Sequence, residues 1–496
     1  MMDAAVRTLR SDELIGTAEK LLAAGGRMQM AYAWYPRASE LEVRYVASRG
    51  SQSPFEIWRC ETNQFLPSLA NTAPLLGWYE REISDLFGLK FEGHPQPQRL
   101  VLHAGAAPVA PPLTPNYPRD VPVRVDQTRQ PLPEVAIEEK DVQLLPFGPV
   151  RADVLESAAF LFFYVGETIL HYHPQLFFKH RGMERRFEGL SPARGVVIAE
   201  RISGVGSVAH ALAYCQAVEA ASNCIVPTRA RFLRSILAEM ERLYNHLHYF
   251  GHLCHTTTLK VGEAEGKLLE ERAKQLNTRL TGSRLLRSVL AIGGLRRDLA
   301  PEGWLHGELD RLRAAFGRYA KQMESTASHL DRLITTGKLD QQTAFDQGAT
   351  GPVERASGVD RDLRRDHPYA AYKEVPPLVA VRDAGDAHAR AQVRMAEVNA
   401  SIALIQCALE ILPRGPVAVA YNIRPKSEGL GWSESPRGTL FYSVHVGGDG
   451  ELMRVKIKSP SFSNWRVFPF TVHDSNMMDY AINEASFGLT IAGCDR

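Results

Sequence analysis

Apolar positions recur with two different periods along the chain. Near the N-terminus, MQMAYAWYP, ELEVRYVAS and FEIWRCE alternate and are rich in β-formers, which predicts a small sheet. Helical patterns near the start and at Leu75–Phe87 complete an α/β unit. Downstream the period lengthens. Pro227-Thr228 opens a stretch in which Phe232, Ile236, Met240, Leu243 and Leu247 recur at three- and four-residue spacing. Similar stripes run through Gly262–Arg287, Leu305–Leu333 and Ala387–Leu412. A β-rich part closes the chain, with GTLFYSVHVGG and MRVKIKSPSF flanking a Gly448–Gly450 turn that predicts a hairpin. The expected fold class is α+β: a small N-terminal α/β domain, then a mainly helical domain with a β-rich C-terminal part.

Proline marks the boundary between them. Eight of the 30 prolines lie between Pro108 and Pro133. Proline lacks the amide donor and fixes φ, so this stretch reads as an extended strap and not as a core element. The expected division is a first domain over 1–105, a Pro-rich strap over 106–140 and a large domain over 141–496.

Composition narrows the function classes. At 496 residues and 45% apolar the chain can bury large cores, and 23% charged residues do not describe a disordered one. Lys plus Arg (58) nearly balances Asp plus Glu (56), so no nucleic-acid partner is expected. The longest apolar run, Ala158–Val165, has eight residues, whereas a membrane span takes about 20. The start, MMDAAVRTLRSDELIG, shows no apolar signal region, so a reducing, cytoplasmic setting is expected. Six cysteines are scattered without any C-x-x-C, which argues against zinc ribbons, ferredoxin-type clusters and thioredoxin-like pairs on this chain.

Four local patterns could carry chemistry, each beside a plainer alternative. His248, His252 and His255 share one helical face, yet Tyr249 stands where the zinc-protease pattern needs Glu, and Gly251 weakens the helix. A polar helix face or interface is the expectation. His171 and His173 bracket Tyr172 as on one strand face, but Pro174 follows and favours a turn. KHRGMERR (Lys179–Arg186) is a basic cluster without interleaved aromatics, expected to be a solvated or subunit-facing loop. ISGVGS (Ile202–Ser207) lacks the spacing of a dinucleotide loop and the Lys-Ser/Thr of a P-loop.

Longer motifs point to a family. Trp78–Pro95, WYEREISDLFGLKFEGHP, resembles the signature of the 30 kDa-type subunit of complex I. From Gly148 onward the chain resembles the 49 kDa-type subunit and the large subunit of group 4 membrane-bound hydrogenases. The carriers are GETI (Gly166–Ile169), HRGMERRFE (His180–Glu188), AERISG (Ala199–Gly204), AYCQAVE (Ala213–Glu219) and RSILAEMERLYNHL (Arg234–Leu247). LTGSRLL (Leu280–Leu286), RRDHPYAAY (Arg364–Tyr372), KIKSPSF (Lys456–Phe462) and Cys494-Asp495-Arg496 continue the series. The fusion of both modules is most similar to formate hydrogenlyase-type large subunits.

The resemblance implies a peripheral-arm subunit of an oxidoreductase complex, NADH dehydrogenase (quinone)-like and not active alone. It implies a small partner subunit with a [4Fe-4S] cluster, antiporter-like membrane subunits and a place on the cytoplasmic side of the inner membrane. Coupling of electron transfer to ion translocation, with a quinone as candidate acceptor, is implied as well. This chain itself is expected to bind no cofactor. The alternative is a non-redox scaffold or coupling subunit that keeps only the fold.

Departures from the family pattern bear on the chemistry. Hydrogenases hold nickel–iron on two C-x-x-C pairs, because these metals take thiolates. Ser203 and Gly206 occupy the first pair of positions, Thr490 and Gly493 the second, with Cys494 one residue out of register. The chain also stops at Asp495-Arg496, without the tail that hydrogenases cleave. The quinone-binding His and Tyr of complex I have no counterpart either. Arg151 and Leu155 stand at the His positions, Gly204 at the Tyr position, and Gly488 where the family has an acid. Arg151, Leu155, Ser203, Gly204 and Gly488 are thus the candidate acceptor cavity. Arg201 and His246 match residues that flank the partner's cluster, where a cation and an imidazole raise its potential and couple reduction to protonation. Otherwise they are structural: Arg201 paired with Glu200 or Glu219, His246 satisfied by backbone.

Overall fold

The alternating N-terminal stretches form strands. A computed structural model describes residues 5–62, 64–115, 117–118, 121–126, 141–150 and 156–496. In it Ala5–Thr8 (β1), Arg27–Arg37 (β2), Glu40–Ser48 (β3) and Phe55–Thr62 (β4) form a sheet of order β1-β4-β3-β2, parallel only between β1 and β4. Helices Leu14–Ala23 (α1) and Gly77–Phe87 (α2) contact β2. Strand β3 is buried from Leu41 to Ser48, so both its faces are covered.

Part of the strap is tied down. Ala106–Ala107 pairs with Arg124–Val125, and the Leu113 amide donates to Leu86 O at 2.9 Å. Residues 127–140 of the strap lie outside the described residues.

A second sheet follows, Gln143–Phe147 (β5), Ala159–Val165 (β6) and Thr168–Gln175 (β7), in the order β7-β6-β5. Here the turn expected at His171–Pro174 gives way to strand. Pro174 is accommodated because β7 lies at the sheet edge, where a missing amide donor costs little.

The helical body comprises Pro192–Ala199 (α3), Ser207–Ser222 (α4), Thr228–Thr256 (α5), Lys260–Thr281 (α6), Leu305–Ser325 (α7) and Ala387–Glu410 (α8). The stripe over Gly262–Arg287 stops being helical at Thr281, where Gly282 turns left-handed at φ 75°. The stripe over Leu305–Leu333 breaks at Thr326 into two helices. Gly251 remains inside α5 because α6 crosses there. A Cβ on the facing Gly266 would lie 2.7 Å from Gly251 Cα. The three histidines of α5 lie along this crossing: His248 reaches Glu270 at 3.1 Å and His255 reaches Glu263 at 3.0 Å.

The closing β-rich part is a sheet of Glu428–Ser435 (β8), Gly438–Val446 (β9) and Leu452–Lys458 (β10), with the predicted hairpin between β9 and β10. Helices Pro460–Val467 (α9), Tyr480–Phe487 (α10) and Ile491–Asp495 (α11) follow. This sheet covers the N-terminal one. Tyr32 hydroxyl bonds Ser443 Oγ at 2.7 Å, and Trp34 stacks on His445 at 4.0 Å. Burying such aromatic area favours the joining of the two modules.

One buried ionic cluster then fixes their alignment. Glu82 on α2 accepts from Arg496 at 2.8 Å and Lys456 at 2.6 Å. Glu184 accepts from Arg454 at 2.6 Å and from Lys456 and Arg496 at 3.1 Å each. The Lys179–Arg186 segment is therefore not simply a solvated loop, since its Glu184 is buried among three cations. Burial works against the Glu184 carboxylate, but Lys456, Arg454 and Arg496 hold it well below the usual range. Removing one partner strands a buried charge, so Glu82→Gln or Glu184→Gln is expected to cost about 3 kcal/mol. The measurement is a fall in melting temperature together with faster amide exchange in α2, with the exposed-pair variant Arg49→Gln nearly unchanged.

Candidate functional site

Two chain segments far apart in sequence meet at the candidate cavity: the turn after α3, residues 201–206, and the segment from Gly488 to Gly493. Arg181 joins them. Its Nη2 donates to Ile202 O at 2.6 Å and to Ala492 O at 3.1 Å, while its amide donates to Arg496 O at 2.9 Å. A second bridge runs through α5 and the β8–β9 turn. Asn245 donates to Val205 O at 2.9 Å and accepts from Arg437 Nη1 at 2.6 Å, and Arg437 Nε donates to Gly488 O at 2.7 Å. Arg437 forms no ion pair with a carboxylate among the described residues, and burial brings it down to about 10.

The turn is anchored from below. Glu241 on α5 accepts from the Val208 and Ala209 amides at 2.7 and 2.9 Å, meeting the positive N-terminus of α4. Burial lifts this carboxyl to about 7 against those two bonds. At the other segment, Glu156 accepts from the Ile491 and Ala492 amides at 2.5 and 3.1 Å.

The four positions expected to match the thiolate pairs have these surroundings. Ser203 is buried, and its carbonyl accepts from Gly206 N at 3.3 Å. Thr490 Oγ1 lies 3.1 Å from Ser461 Oγ and accepts from Gly493 N at 3.3 Å. A Cβ on Gly493 would sit 2.5 Å from Thr490 Oγ1. Two hydroxyls and two glycines do not fit a nickel–iron centre, which takes thiolates. Cys494 does not substitute for them: it is buried beside Asp495 and Arg496, and burial pushes its thiol well up. Among the described residues no group of His, Cys, Asp or Glu is arranged to hold a metal ion.

Gly204 and Gly488, both expected to line the acceptor cavity, have different surroundings. A side chain on Gly204 would meet open space. Gly488 has φ 67° and faces Arg394, whose guanidinium is 3.3 Å from where a Cβ would be. Arg394 donates instead to Ser486 O at 3.1 Å and Phe487 O at 2.9 Å. Arg151 and Leu155 lie outside the described residues.

Arg201 and His246 are placed apart in character. Arg201 is half exposed at the end of α3, 3.5 Å from Glu200, with Nη1 on Val197 O at 2.8 Å. Glu219, the other candidate partner, is taken by Arg234 at 2.6 Å. His246 is buried and bonds a carboxylate, Glu397 Oε2 at 2.8 Å, so the expectation of a backbone partner is corrected. Glu397 itself receives Arg355 at 2.5 Å and Arg242 at 3.1 Å. Desolvation explains the choice: a fully buried imidazole next to two cations is satisfied by the carboxylate those cations hold in place.

Sequence reasoning passed over Arg181, Asn245, Arg437 and Glu241. Arg181, Asn245 and Glu241 lie inside the family motifs, where they carry resemblance without a role of their own. Arg437 sits in a strand-connecting Pro-Arg-Gly turn, and its position beside Gly488 follows from the sheet alone.

This fold and site define a class: a two-module subunit in which an α3–α4 turn and the last helices are joined by buried polar side chains. The chain belongs to the family that unites the complex I 30 kDa and 49 kDa subunits with group 4 hydrogenase large subunits. Residues 5–122 match the family model of the 30 kDa subunit of respiratory-chain NADH dehydrogenase. Residues 268–426 and 421–496 match its 49 kDa subunit, and 181–281 match nickel-dependent hydrogenase. Formate hydrogenlyase subunit 5 of Escherichia coli (strain K12) is 31% identical over 430 residues, covering 83% of this chain and 74% of the relative. The fused C/D protein of NADH-quinone oxidoreductase from Cereibacter sphaeroides (strain KD131 / KCTC 12085) is 28% identical, covering 87% and 82%. A chain from the structure of the membrane-bound sulfane sulfur reductase, an archaeal respiratory membrane complex, superposes with a TM-score of 0.68 at 25% identity. That match covers 73% of this chain and 100% of the other. Its relatives thus belong to membrane respiratory complexes, while no helix among the described residues is long and apolar enough to cross a membrane.

The environment of His246 sets a pH dependence. Burial lowers it from 6.5 to about 4, with Glu397 offsetting part of the effect. Between these values the unfolded chain binds a proton that the folded chain does not, so folded-state stability falls as pH drops through that window. His246→Gln is expected to flatten the stability profile between about pH 4 and 6.5. Urea unfolding at a series of pH values measures the slope.

Proposed function

We propose that this chain forms the acceptor cavity of a complex I-like oxidoreductase, beside an iron–sulfur cluster held by a small partner subunit, without a nickel–iron centre of its own. The observation that carries this reading is the pairing of the 201–206 turn with the 488–493 segment through Arg181, Asn245 and Arg437. That pairing brings together the segments that would carry the family's ligand positions, and the residues there offer hydroxyls and glycines. In this reading a quinone is the candidate acceptor, with Arg437 supplying positive charge as the acceptor gains electrons. Arg151 and Leu155 would complete the wall. The complex would sit peripherally on the cytoplasmic face of the membrane and pass the redox energy to antiporter-like membrane subunits.

Arg201 and His246 act on the cluster side in this proposal. The half-exposed guanidinium stabilises a reduced, more negative cluster. The imidazole, neutral with a value near 4, gains a proton when that negative charge raises its affinity. Redox titration of the purified complex by electron paramagnetic resonance tests both roles. Arg201→Met is expected to lower the cluster's midpoint potential, and His246→Ala to remove its pH dependence. Unchanged values in both variants overturn the assignment. Metal analysis of the same complex is expected to find iron without stoichiometric nickel; stoichiometric nickel sinks the reading of Ser203, Gly206, Thr490 and Gly493.

One observation favours a second reading. His246 is bound into an interior ion network instead of facing the turn. A scaffold that couples or assembles the membrane arm without redox chemistry would keep that network for rigidity alone. Wild-type electron transfer from cluster to added quinone, lost in Arg437→Gln, separates the two.

A further inference from the structure

A cleft of about 1340 Å3 opens between the N-terminal module, the edge strand β7 and the segment after α9. It shares no residue with the cavity between the 201–206 turn and the 488–493 segment. Its described lining carries three arginines, five histidines and a single carboxylate, Asp126. The chain as a whole is nearly balanced at +2, so this excess is local.

The cations are held in place by backbone carbonyls. Arg81 donates to Gln98 O at 2.7 Å and Arg99 O at 2.8 Å, Arg99 to Ala106 O at 2.6 Å, and Arg466 to Gln347 O at 2.9 Å. None of the three forms an ion pair among the described residues. The acid nearest Arg81, Asp85, spends one oxygen on the amides of Leu100, Val101 and Leu102 at 2.8, 2.7 and 3.1 Å. The His171 and His473 rings lie side by side, 5.2 Å between centres and tilted by 35°. Burial lowers Arg81 and brings Arg466 to about 9, a cost that an anion in the cleft would relieve.

The shape of the cleft selects the kind of anion. It exceeds the roughly 300–1,000 Å3 of small-molecule pockets. One wall is His171–Gln175 of β7; residues 474–476 bond the outer edge of this strand at Thr168 and Ile169, and among the described residues no strand pairs with that edge over 171–175. An edge strand is a template for another extended chain, whose backbone bonds give affinity while side chains give selectivity. Phe470, 49% exposed at the rim, adds an apolar anchor.

We propose that this cleft docks an extended acidic segment of a partner protein, laid along β7 with its carboxylates on Arg81, Arg99 and Arg466. The contact is one of assembly and stands independently of the redox reading, since nickel content and cluster potentials do not report on it.

Fluorescence anisotropy with the full-length chain at low ionic strength tests the proposal. The probe is a labelled heptapeptide alternating Glu and Leu, with a Lys-Leu counterpart as control. The acidic peptide is expected to bind, to slow amide exchange over residues 171–175, and to bind about tenfold more weakly to Arg99→Glu and to His473→Glu. Melting temperatures of both variants establish that they fold. Absence of binding at millimolar peptide overturns the proposal, as does equal binding of the Lys-Leu control or unchanged affinity in both folded variants. Displacement of the peptide by inorganic phosphate or by phosphatidylglycerol vesicles, lost in the same variants, overturns it in favour of a phosphate-bearing ligand.

Discussion

Glu82 and Glu184 hold Arg454, Lys456 and Arg496 in the interior where the two modules meet, and the site is built outward from that cluster. Its five members come from α2, the Lys179–Arg186 segment, β10 and the final residue. Buried charges of this kind add little net stability over an apolar contact, but each is costly to leave alone. The cluster therefore acts as a register. Once Arg496 is fixed, its carbonyl receives the Arg181 amide, and the Arg181 guanidinium then draws the 201–206 turn to the last helix.

A second buried network sits deeper and sets the state of His246. Glu239, Asp362, Glu397 and Glu434 face Arg242, Arg355 and Arg364. Four carboxylates thus face three guanidiniums in direct contact. Burial and the neighbouring Asp362 raise Glu434 to about 8, while His246 falls to about 4. Burial and like charge thus favour the protonated form of Glu434, while burial favours the neutral form of His246.

Much of the architecture was legible in the sequence because period and turn chemistry are local. The three alternating N-terminal stretches, the long helix opened by Pro227-Thr228 and the hairpin at Gly448–Gly450 all stand where their patterns put them. The failures have a common origin. Pro174 is tolerated because β7 lies at an edge, Gly251 because α6 crosses there, and Glu184 is buried because cations from β10 surround it. Each depends on a neighbour distant in the chain, and local pattern holds no information about that neighbour.

The same division applies to the site. Residue types at 203, 206, 490 and 493 decide by themselves that no thiolates are offered there, since side-chain chemistry is written one position at a time. The family motifs likewise point to the class of subunit. Which groups surround that place is a matter of tertiary structure: Arg437 reaches Gly488 only across a folded sheet, and His246 finds Glu397 only when α5 packs on α8. Desolvation makes those pairings, by penalising each buried polar group until a partner comes within hydrogen-bond distance.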